Sequence, residues 1–304
     1  MELKRIQHGD YSAVINLDRG ANCISLRNSR LGVVALREPN YENGELDNPY
    51  LYGMPILFPV NRISGGCFEF EGRTYRFPVN EQKTGCHLHG ELHKTPFSLV
   101  EESGDRIVCA YRSSEYLSFP HEFEIIMEYS LSDGGLTHIT KVINHSDENM
   151  PCMIGFHTTF NSAFAGGRDV LAKVEIEKEF ERNMENYLPT GEMPEFDAVS
   201  LALANGSFSP FEKPISRHYR AGGRIMSLTD KEKNLTLIYE NSENFAFRLI
   251  YNGGADEYIC LEPQNCAANA PNAPFGREIG GFDYIEPKKS KVFTSKIYIK
   301  ELEQ

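Results

Sequence analysis

Hydrophobic and polar residues alternate along much of the chain. In the stretch HEFEIIMEYSL, every second side chain is apolar: Phe123, Ile125, Met127, Tyr129 and Leu131. Successive side chains of a β-strand point to opposite faces, so this spacing predicts a strand with one buried and one solvent-facing side. Apolar residues at helical spacing are scarce, and we expect few helices.

The same alternation recurs in four further segments. They are CFEFEG, RTYRFPV, NLTLIYE and NFAFRLIYN, which begin at residues 67, 73, 234 and 244. Turn sequences that contain glycine occur at Glu71-Gly72, Asp133-Gly134-Gly135 and Asn252-Gly253-Gly254. Many short strands joined by turns, without alternating helices, are typical of an antiparallel sandwich. The pattern therefore predicts an all-β fold.

The chain is predicted to form one domain. Its 304 residues are many for an average domain but ordinary for one large β-sandwich. Residues 181–214 are rich in Pro, Asn, Glu and Gly, but strands of the same character follow them. We interpret this stretch as a long loop that borders a functional site. Residues 1–304 are accordingly treated as a single domain.

The charge and composition of the chain limit the kinds of molecule that it is expected to bind. The chain has 31 Lys and Arg against 43 Asp and Glu, a net charge of -12. Binding to nucleic acid relies on clustered Lys and Arg, so no nucleic acid partner is expected. The start, MELKRIQHGDY, lacks the apolar stretch of a secretory signal, and no run of about 18 apolar residues is present. These features predict a cytoplasmic protein that does not enter a membrane.

The cysteines are odd in number and scattered, without a CxxC pair. This arrangement predicts reduced thiols, most of them small core residues, and no disulfide framework. The seven positions are Cys23, Cys67, Cys86, Cys109, Cys152, Cys260 and Cys266.

Asn61 and Arg62 are the first candidates for chemistry. In LFPVNRISGG they follow an apolar run and precede a glycine pair. An amide beside a planar guanidinium suits recognition of hydroxyl groups, because both present fixed donors. The alternative is an arginine at a strand end that pairs with a surface acid.

A second candidate is the histidine-rich segment GCHLHGELHKTPF. His87 and His89 point to one side of an extended chain, and His-x-His can hold a metal. However, His93 occupies the place of the acid expected about four residues on, and no later partner histidine is obvious. The segment therefore predicts neutral, hydrogen-bonding histidines and no metal.

His157 and Glu262 are the third and fourth candidates. His157 ends the apolar run of MPCMIGFHTTFN, and Glu262 follows the strand-like start of CLEPQNCAAN. A lone histidine on an apolar face is usually a core residue unless a carboxylate faces it. A buried carboxylate in turn needs compensating partners. The two are far apart in sequence, so only the fold can bring them together.

Taken in order, these segments resemble the aldose 1-epimerase (galactose mutarotase) family. The resemblance runs from about residue 10 to the C-terminus. It implies a large antiparallel β-supersandwich with an open sugar-binding cleft. The motifs that carry it are Asn61-Arg62-Ile63, Leu88-His89-Gly90, residues 150–161 and Leu261-Glu262-Pro263-Gln264.

The resemblance also implies a role for each candidate residue. Glu262 is the general base and His157 the general acid, while Asn61, Arg62 and His89 orient the sugar. Arg62, His89 or His157 are expected to compensate an ionised Glu262, and Glu262 to raise the pKa of His157. No cofactor and no metal are implied.

Two departures from the family pattern indicate a divergent branch. The family has an acidic residue that contacts the sugar in a GG-aromatic-DH segment, and the comparable region here reads PISRHYRAGGR. Phe97 stands where the family often has Trp. The leading prediction is interconversion of the anomers of a free hexose.

Three alternatives remain open at this stage. The first is a hexose-6-phosphate epimerase, for which positive charge would come from Arg217, His218, Arg220 and Lys94 unless they line a solvated loop. The second is a sugar-binding protein without turnover. The third is a metal-dependent jelly-roll enzyme that uses the three histidines of the GCHLHGELHKTPF segment.

Overall fold

A computed structural model describes residues 1–41, 46, 48–254 and 257–302, and its regular structure is mostly β. One α-helix, α1 (Ala198–Asn205), and four short 3-10 helices (Pro49–Leu51, Leu92–Lys94, Tyr116–Ser118 and Ala270–Asn272) accompany the strands. The strands are β1 (Leu3–His8), β2 (Tyr11–Asn16), β3 (Asn22–Asn28), β4 (Val33–Val34), β5 (Ile56–Leu57), β6 (Arg62–Ser64), β7 (Cys67–Phe70), β8 (Arg73–Arg76), β9 (Cys86–Leu88), β10 (Ser98–Glu102), β11 (Arg106–Ser113), β12 (Phe123–Ser132), β13 (Gly135–Asn144), β14 (Met150–Pro151), β15 (Gly155–Phe156), β16 (Thr159–Asn161), β17 (Val170–Glu179), β18 (Ser216–Asp230), β19 (Leu235–Asn241), β20 (Phe247–Tyr251), β21 (Tyr258–Gln264), β22 (Tyr284–Ile285) and β23 (Ser290–Glu301).

The largest sheet has 13 strands, and its neighbouring strands are antiparallel. Its main path runs β10-β11-β12-β13-β23-β19-β18-β20-β21-β15-β5, with β17 beside β18 and β16 beside β21. A second sheet, β1-β2-β3-β4, packs against β12 and β13. The predicted all-β antiparallel architecture is confirmed.

The alternating segments form strands with the expected buried face. The five alternating apolar residues of the HEFEIIMEYSL stretch are buried in β12, and the residues between them, which include Ile126, are partly exposed. Tyr129 also links the large sheet to the residue that precedes β3, because its hydroxyl donates a hydrogen bond to the Ala21 carbonyl at 2.9 Å. The core therefore lies between the large sheet and the four-stranded sheet.

Residues 181–214 are mostly irregular, as predicted, but they include α1. Asp197 caps this helix by accepting hydrogen bonds from the backbone N–H groups of Val199 and Ser200, both at 3.0 Å. Gly206 ends it in the left-handed conformation, with a φ of 75°. The sequence pattern missed the helix because it has only eight residues and packs against β17.

The cysteines are free thiols, as predicted, and six of the seven are buried. In the part of the chain that the structure describes, the helices are too short or too polar to cross a bilayer.

Candidate functional site

A cavity of about 440 Å³ opens beside β20 and β21, and it is here called the sugar cavity after the ligand that the sequence predicts. All five residues that were predicted to act on a sugar line it: Asn61, Arg62, His89, His157 and Glu262. They come from segments that are far apart in the sequence. The fold brings them together, while their roles stay predictions.

Strand register places His157 opposite Glu262. On either side of His157, β15 pairs with Gln264 and β16 pairs with Cys260, so the residue between these two partners is Glu262. The Nε2 atom of His157 lies 3.3 Å from Oε1 of Glu262. Only 9% of the His157 side chain and 1% of the Glu262 side chain are exposed.

Burial moves the pKa values of this pair in opposite directions. It raises the pKa of Glu262 to about 8, although a hydrogen bond from Gln264 and the positive charge of Arg182 act against the rise. It lowers the pKa of His157 to about 4. Near neutral pH the pair is therefore an un-ionised acid beside a neutral imidazole. The expectation that Glu262 raises the pKa of His157 is wrong, because an un-ionised acid supplies no negative charge.

The partner of Arg62 is Glu81. The Nε and Nη2 atoms of Arg62 donate hydrogen bonds to the two carboxylate oxygens of Glu81, at 2.6 and 2.7 Å. The guanidinium also lies over the Tyr187 ring, 4.5 Å from its centroid. Arg62 still faces the sugar cavity, but it acts on Glu262 only at longer range. Its positive charge still helps to lower the pKa of Glu262, as expected, and its pairing with an acid also fits the alternative interpretation of this arginine.

Asn61 reaches the carboxylate through Gln264. The Nδ2 atom of Asn61 donates to Oε1 of Gln264 at 3.1 Å, and Nε2 of Gln264 donates to Oε2 of Glu262 at 3.2 Å. Gln264 and Glu262 share one face of β21, since they are two residues apart in a strand. This alternation could have identified Gln264 from the sequence, where it had no role assigned.

His89 is held beside Asn61 by the pairing of β6 with β9. Its Nδ1 accepts a hydrogen bond from the Asn61 backbone N–H at 3.3 Å, which leaves Nε2 to carry the ring proton. Burial lowers the pKa of His89 well below its ordinary value. Gly90, which follows it, has a φ of 64°, and a Cβ there would lie 1.8 Å from the Phe58 carbonyl oxygen. The glycine of the LHG motif is therefore required by the close backbone approach.

A comparison of the sequence with known protein families agrees with this arrangement of residues. Residues 2–280 match the family model described as aldose 1-epimerase. The chain belongs to the aldose 1-epimerase family. The resemblance found in the sequence is therefore confirmed.

Two curated proteins of Escherichia coli (strain K12) are similar to this family member over part of their length. One is the uncharacterized protein YphB, which is 27% identical over 106 residues, 35% of this chain and 36% of that protein. The other is the uncharacterized protein YihR, which is 26% identical over 124 residues, 41% of this chain and 38% of that protein. The matched region thus spans less than half of each curated relative.

Solved structures of family members extend the likeness to nearly the whole chain. A galactose mutarotase-like protein from Clostridium acetobutylicum superposes with a TM-score of 0.92 at 30% identity, covering 98% of this chain and 95% of that one. A putative aldose 1-epimerase from E. coli K12 has a TM-score of 0.82 at 18% identity and shows the shared fold, covering 99% of both chains. The galactose mutarotase-like fold expected from the sequence is confirmed.

The long loop of this aldose 1-epimerase family member contributes three residues that the sequence analysis missed. Arg182, Met184 and Tyr187, all within residues 181–214, line the sugar cavity. The loop thus borders the site, as predicted. Arg182 donates a hydrogen bond from Nη2 to the Ser216 hydroxyl at 2.9 Å.

Tyr50 was also missed, and it packs against the histidines of the site. Its ring centroid lies 4.9 Å from that of His89 and 4.5 Å from that of His93. It also stacks on His157, with the centroids 5.9 Å apart and the ring planes 28° from parallel. Tyr50 thus packs against the imidazole of His157.

The basic residues considered for a sugar phosphate lie outside the lining of the sugar cavity. Residues 217–220 belong to strand β18, so the interpretation as a solvated loop is wrong. His218 is fully buried. The other three pair with carboxylates, in the contacts Arg217–Glu179, Arg217–Asp197, Arg220–Glu177 and Lys94–Glu91.

The three histidines of the GCHLHGELHKTPF segment have separate environments. His87 donates from Nδ1 to the Pro78 carbonyl, at 2.7 Å, and stacks on Phe77. His89 and His93 both contact the Tyr50 ring instead. The neutral, hydrogen-bonding interpretation fits His87 and His89.

A different trio has donor atoms close enough to hold a metal ion. In the described ranges, atoms of His157, Cys260 and Glu262 lie within 4.8 Å of one another. Burial raises the pKa of the Cys260 thiol well above its ordinary value, which disfavours the thiolate form that metals bind. Acid–base chemistry therefore suits this trio better than metal binding.

Proposed function

We propose that this family member interconverts the α and β anomers of an aldose, with Glu262 as general base and His157 as general acid. The observation that carries the proposal is the 3.3 Å contact between the two side chains on the wall of the sugar cavity. Pairs of titratable groups whose pKa values are moved apart by their surroundings are characteristic of acid–base sites. The proposal takes residues 1–304 as one cytoplasmic domain.

The pair can supply both proton transfers that ring opening needs. Moving one proton from Glu262 to His157 gives a carboxylate and an imidazolium without changing the charge of the pair. The carboxylate removes the proton of the C1 hydroxyl, and the imidazolium protonates the ring oxygen as the bond between C1 and that oxygen breaks. After rotation about the C1–C2 bond, the same steps in reverse close the ring on the other face.

The surrounding residues are assigned to orientation. The Nε2–H of His89 can donate to a sugar hydroxyl, because its Nδ1 is occupied by the Asn61 backbone. Asn61 is assigned to position the carboxylate of Glu262, through its hydrogen bond to Gln264, and not to bind the sugar. Arg62, held by Glu81, presents the rest of its guanidinium to the cavity.

Exchange NMR tests this function directly. The protein should accelerate interconversion of the anomers of at least one aldose over buffer alone, in a panel that includes glucose and galactose. Calorimetry on the same sugars identifies a binding protein without turnover. Acceleration for none of the sugars would refute the proposal.

The rate of interconversion should depend on pH with a bell shape. The pair holds one transferable proton between the pKa of His157, about 4, and that of Glu262, about 8. Below the lower limit the base is lost, because both groups are protonated. Above the upper limit the acid is lost, because the shared proton is gone. Each limb should fall about tenfold per pH unit, as measured by exchange NMR in matched buffers. A rate that is flat from pH 3 to 9 would contradict the assignment.

Gln264→Leu should lower the rate about tenfold and raise the alkaline limit of the pH profile. The leucine removes the hydrogen bond that Gln264 donates to Glu262, and that bond holds the pKa of Glu262 down. The shift in the alkaline limit distinguishes positioning from a general loss of folded protein, which would lower the rate at every pH. An unshifted limit would mean that Gln264 does not act on Glu262.

A further inference from the structure

We propose that the substrate carries an anionic group, a carboxylate or a phosphate ester, and that the guanidinium of Arg182 binds it. The inference rests on the proposed function, since it names the class of sugar for the same site. It makes Arg182 the residue that determines specificity. The neutral free hexose of the leading sequence prediction then becomes the poorer substrate.

Arg182 is a buried cation without a carboxylate partner. It is only 8% exposed. Among the described residues, no carboxylate lies within ion-pair distance of it, and its single hydrogen bond goes to the neutral hydroxyl of Ser216. A guanidinium has five N–H donors, so most of them are free to bind a ligand.

Arg248 shows how this fold satisfies a buried arginine when no ligand is involved. It is 1% exposed and also lacks an ion pair among the described residues. Its guanidinium instead donates to three backbone carbonyls, those of Phe245, Phe247 and Gly223, at 2.6, 3.0 and 3.2 Å. Among the residues that the structure describes, no backbone carbonyl accepts a hydrogen bond from the Arg182 guanidinium. The difference indicates that the guanidinium of Arg182 is positioned to bind a ligand.

The charges near Arg182 leave the sugar cavity with an excess of positive charge. Arg62 is neutralised by the bidentate contact with Glu81. Glu262 is mostly un-ionised near neutral pH, because burial raises its pKa to about 8. Burial lowers the pKa of Arg182 to about 10, so it stays protonated. Lys83 also lines the cavity, but its side chain is exposed to solvent. The buried charge that lacks compensation is therefore that of Arg182.

Arg182 also stands where a substituent of the sugar could reach it. It lines the sugar cavity and a second cavity of about 630 Å³. The two cavities share Tyr187, Ser216 and Tyr251 as well. A sugar with C1 at Glu262 can thus extend an acidic substituent toward the junction of the two cavities.

An anion fits this position better than a neutral hydroxyl does. An unpaired buried charge is destabilising, and an acidic group both neutralises it and accepts two parallel hydrogen bonds from the guanidinium. A hydroxyl accepts a hydrogen bond but leaves the charge in place. Arg217, which lines the larger cavity, cannot take this role because Glu179 and Asp197 already bind it.

The test compares anomer exchange of glucose, glucuronate and glucose 6-phosphate in the wild type, Arg182→Gln, Arg182→Lys and Arg220→Gln. The control residue Arg220 is paired with Glu177 and lines neither cavity. In the wild type, kcat/KM for one of the two acidic sugars should exceed that for glucose about 10- to 100-fold. The glucuronate and phosphate arms separate the two kinds of anion.

Arg182→Gln should abolish this preference, Arg182→Lys should keep part of it, and Arg220→Gln should leave it unchanged. The ratio of two substrates is measured within each variant, so it is independent of the fraction that folds. A wild-type ratio near one, or a ratio that Arg182→Gln leaves intact, overturns the inference.

Calorimetry keeps the inference testable if no sugar is turned over. The absence of exchange would overturn the proposed function alone. Tighter binding of glucuronate or glucose 6-phosphate than of glucose, lost in Arg182→Gln, would still support the anion site. Equal binding of all three sugars would reject it.

Discussion

Glu262→Gln should lower the rate of anomer interconversion about 100-fold or more. Glutamine keeps the shape of the side chain and its place beside His157, but it cannot take up the proton of the C1 hydroxyl. Because Glu262 is fully buried, water has little access to replace it. Exchange NMR on the preferred sugar measures the loss. A variant that keeps more than half of the wild-type rate would exclude Glu262 as the base.

Stability provides a control for this variant. The pKa of Glu262 is raised in the folded protein, so the folded state binds the proton more tightly, and its contribution to stability is lost as pH rises toward 8. Glutamine has no charge to bury. Above pH 8, Glu262→Gln should therefore be at least as stable as the wild type in thermal melts. Glu240→Gln, on β19 outside the sugar cavity, is the matched control for activity.

His157→Asn should also lower the rate about 100-fold, because it removes the group that protonates the ring oxygen. The asparagine is smaller and leaves a gap beside Tyr50, so some loss of stability is expected as well. Rates are therefore compared per folded molecule, with circular dichroism to measure the folded fraction.

His121→Asn is the matched control for the histidine. His121 is 1% exposed, and burial lowers its pKa to about 4, as for His157. It hydrogen-bonds Tyr75 and Ser146, away from the sugar cavity. If His121→Asn reduces the rate per folded molecule as much as His157→Asn does, His157 has no special part in the chemistry.

The fold could be predicted largely from period-two alternation. The alternation in β12 predicted correctly which residues are buried, because residues two apart in a strand lie on the same face. The alternation could not predict the order of the strands in the sheet. The 13-stranded path brings β21 beside β15 and β16, and no local feature of the sequence specifies those long-range pairings.

The five residues assigned to the site from the sequence line the sugar cavity, but other lining residues were missed and the electrostatics was predicted wrongly. The order of the motifs identified Glu262 and His157, and their cross-strand contact follows from the register. Their protonation was predicted wrongly, because the depth of burial that sets both pKa values is a property of the fold. Glu81 was missed as the partner of Arg62, although it is only 19 residues away.

Arg182 shows why a residue that is proposed to bind the substrate can be invisible in a single sequence. It lies in a loop with no periodic pattern, surrounded by charged residues that suggest solvent exposure. Only the folded structure reveals that this arginine is buried and lacks a carboxylate partner among the described residues.

The most direct test of the account is one exchange measurement on four proteins: the wild type, Glu262→Gln, His157→Asn and the double variant. Two groups that move protons in the same step act as a unit, so removing the second should cost little once the first is gone. We predict that the double variant exchanges anomers within about threefold of the slower single variant. Losses that multiply, to about 10⁴-fold, would show that the two side chains act independently and would contradict the central claim.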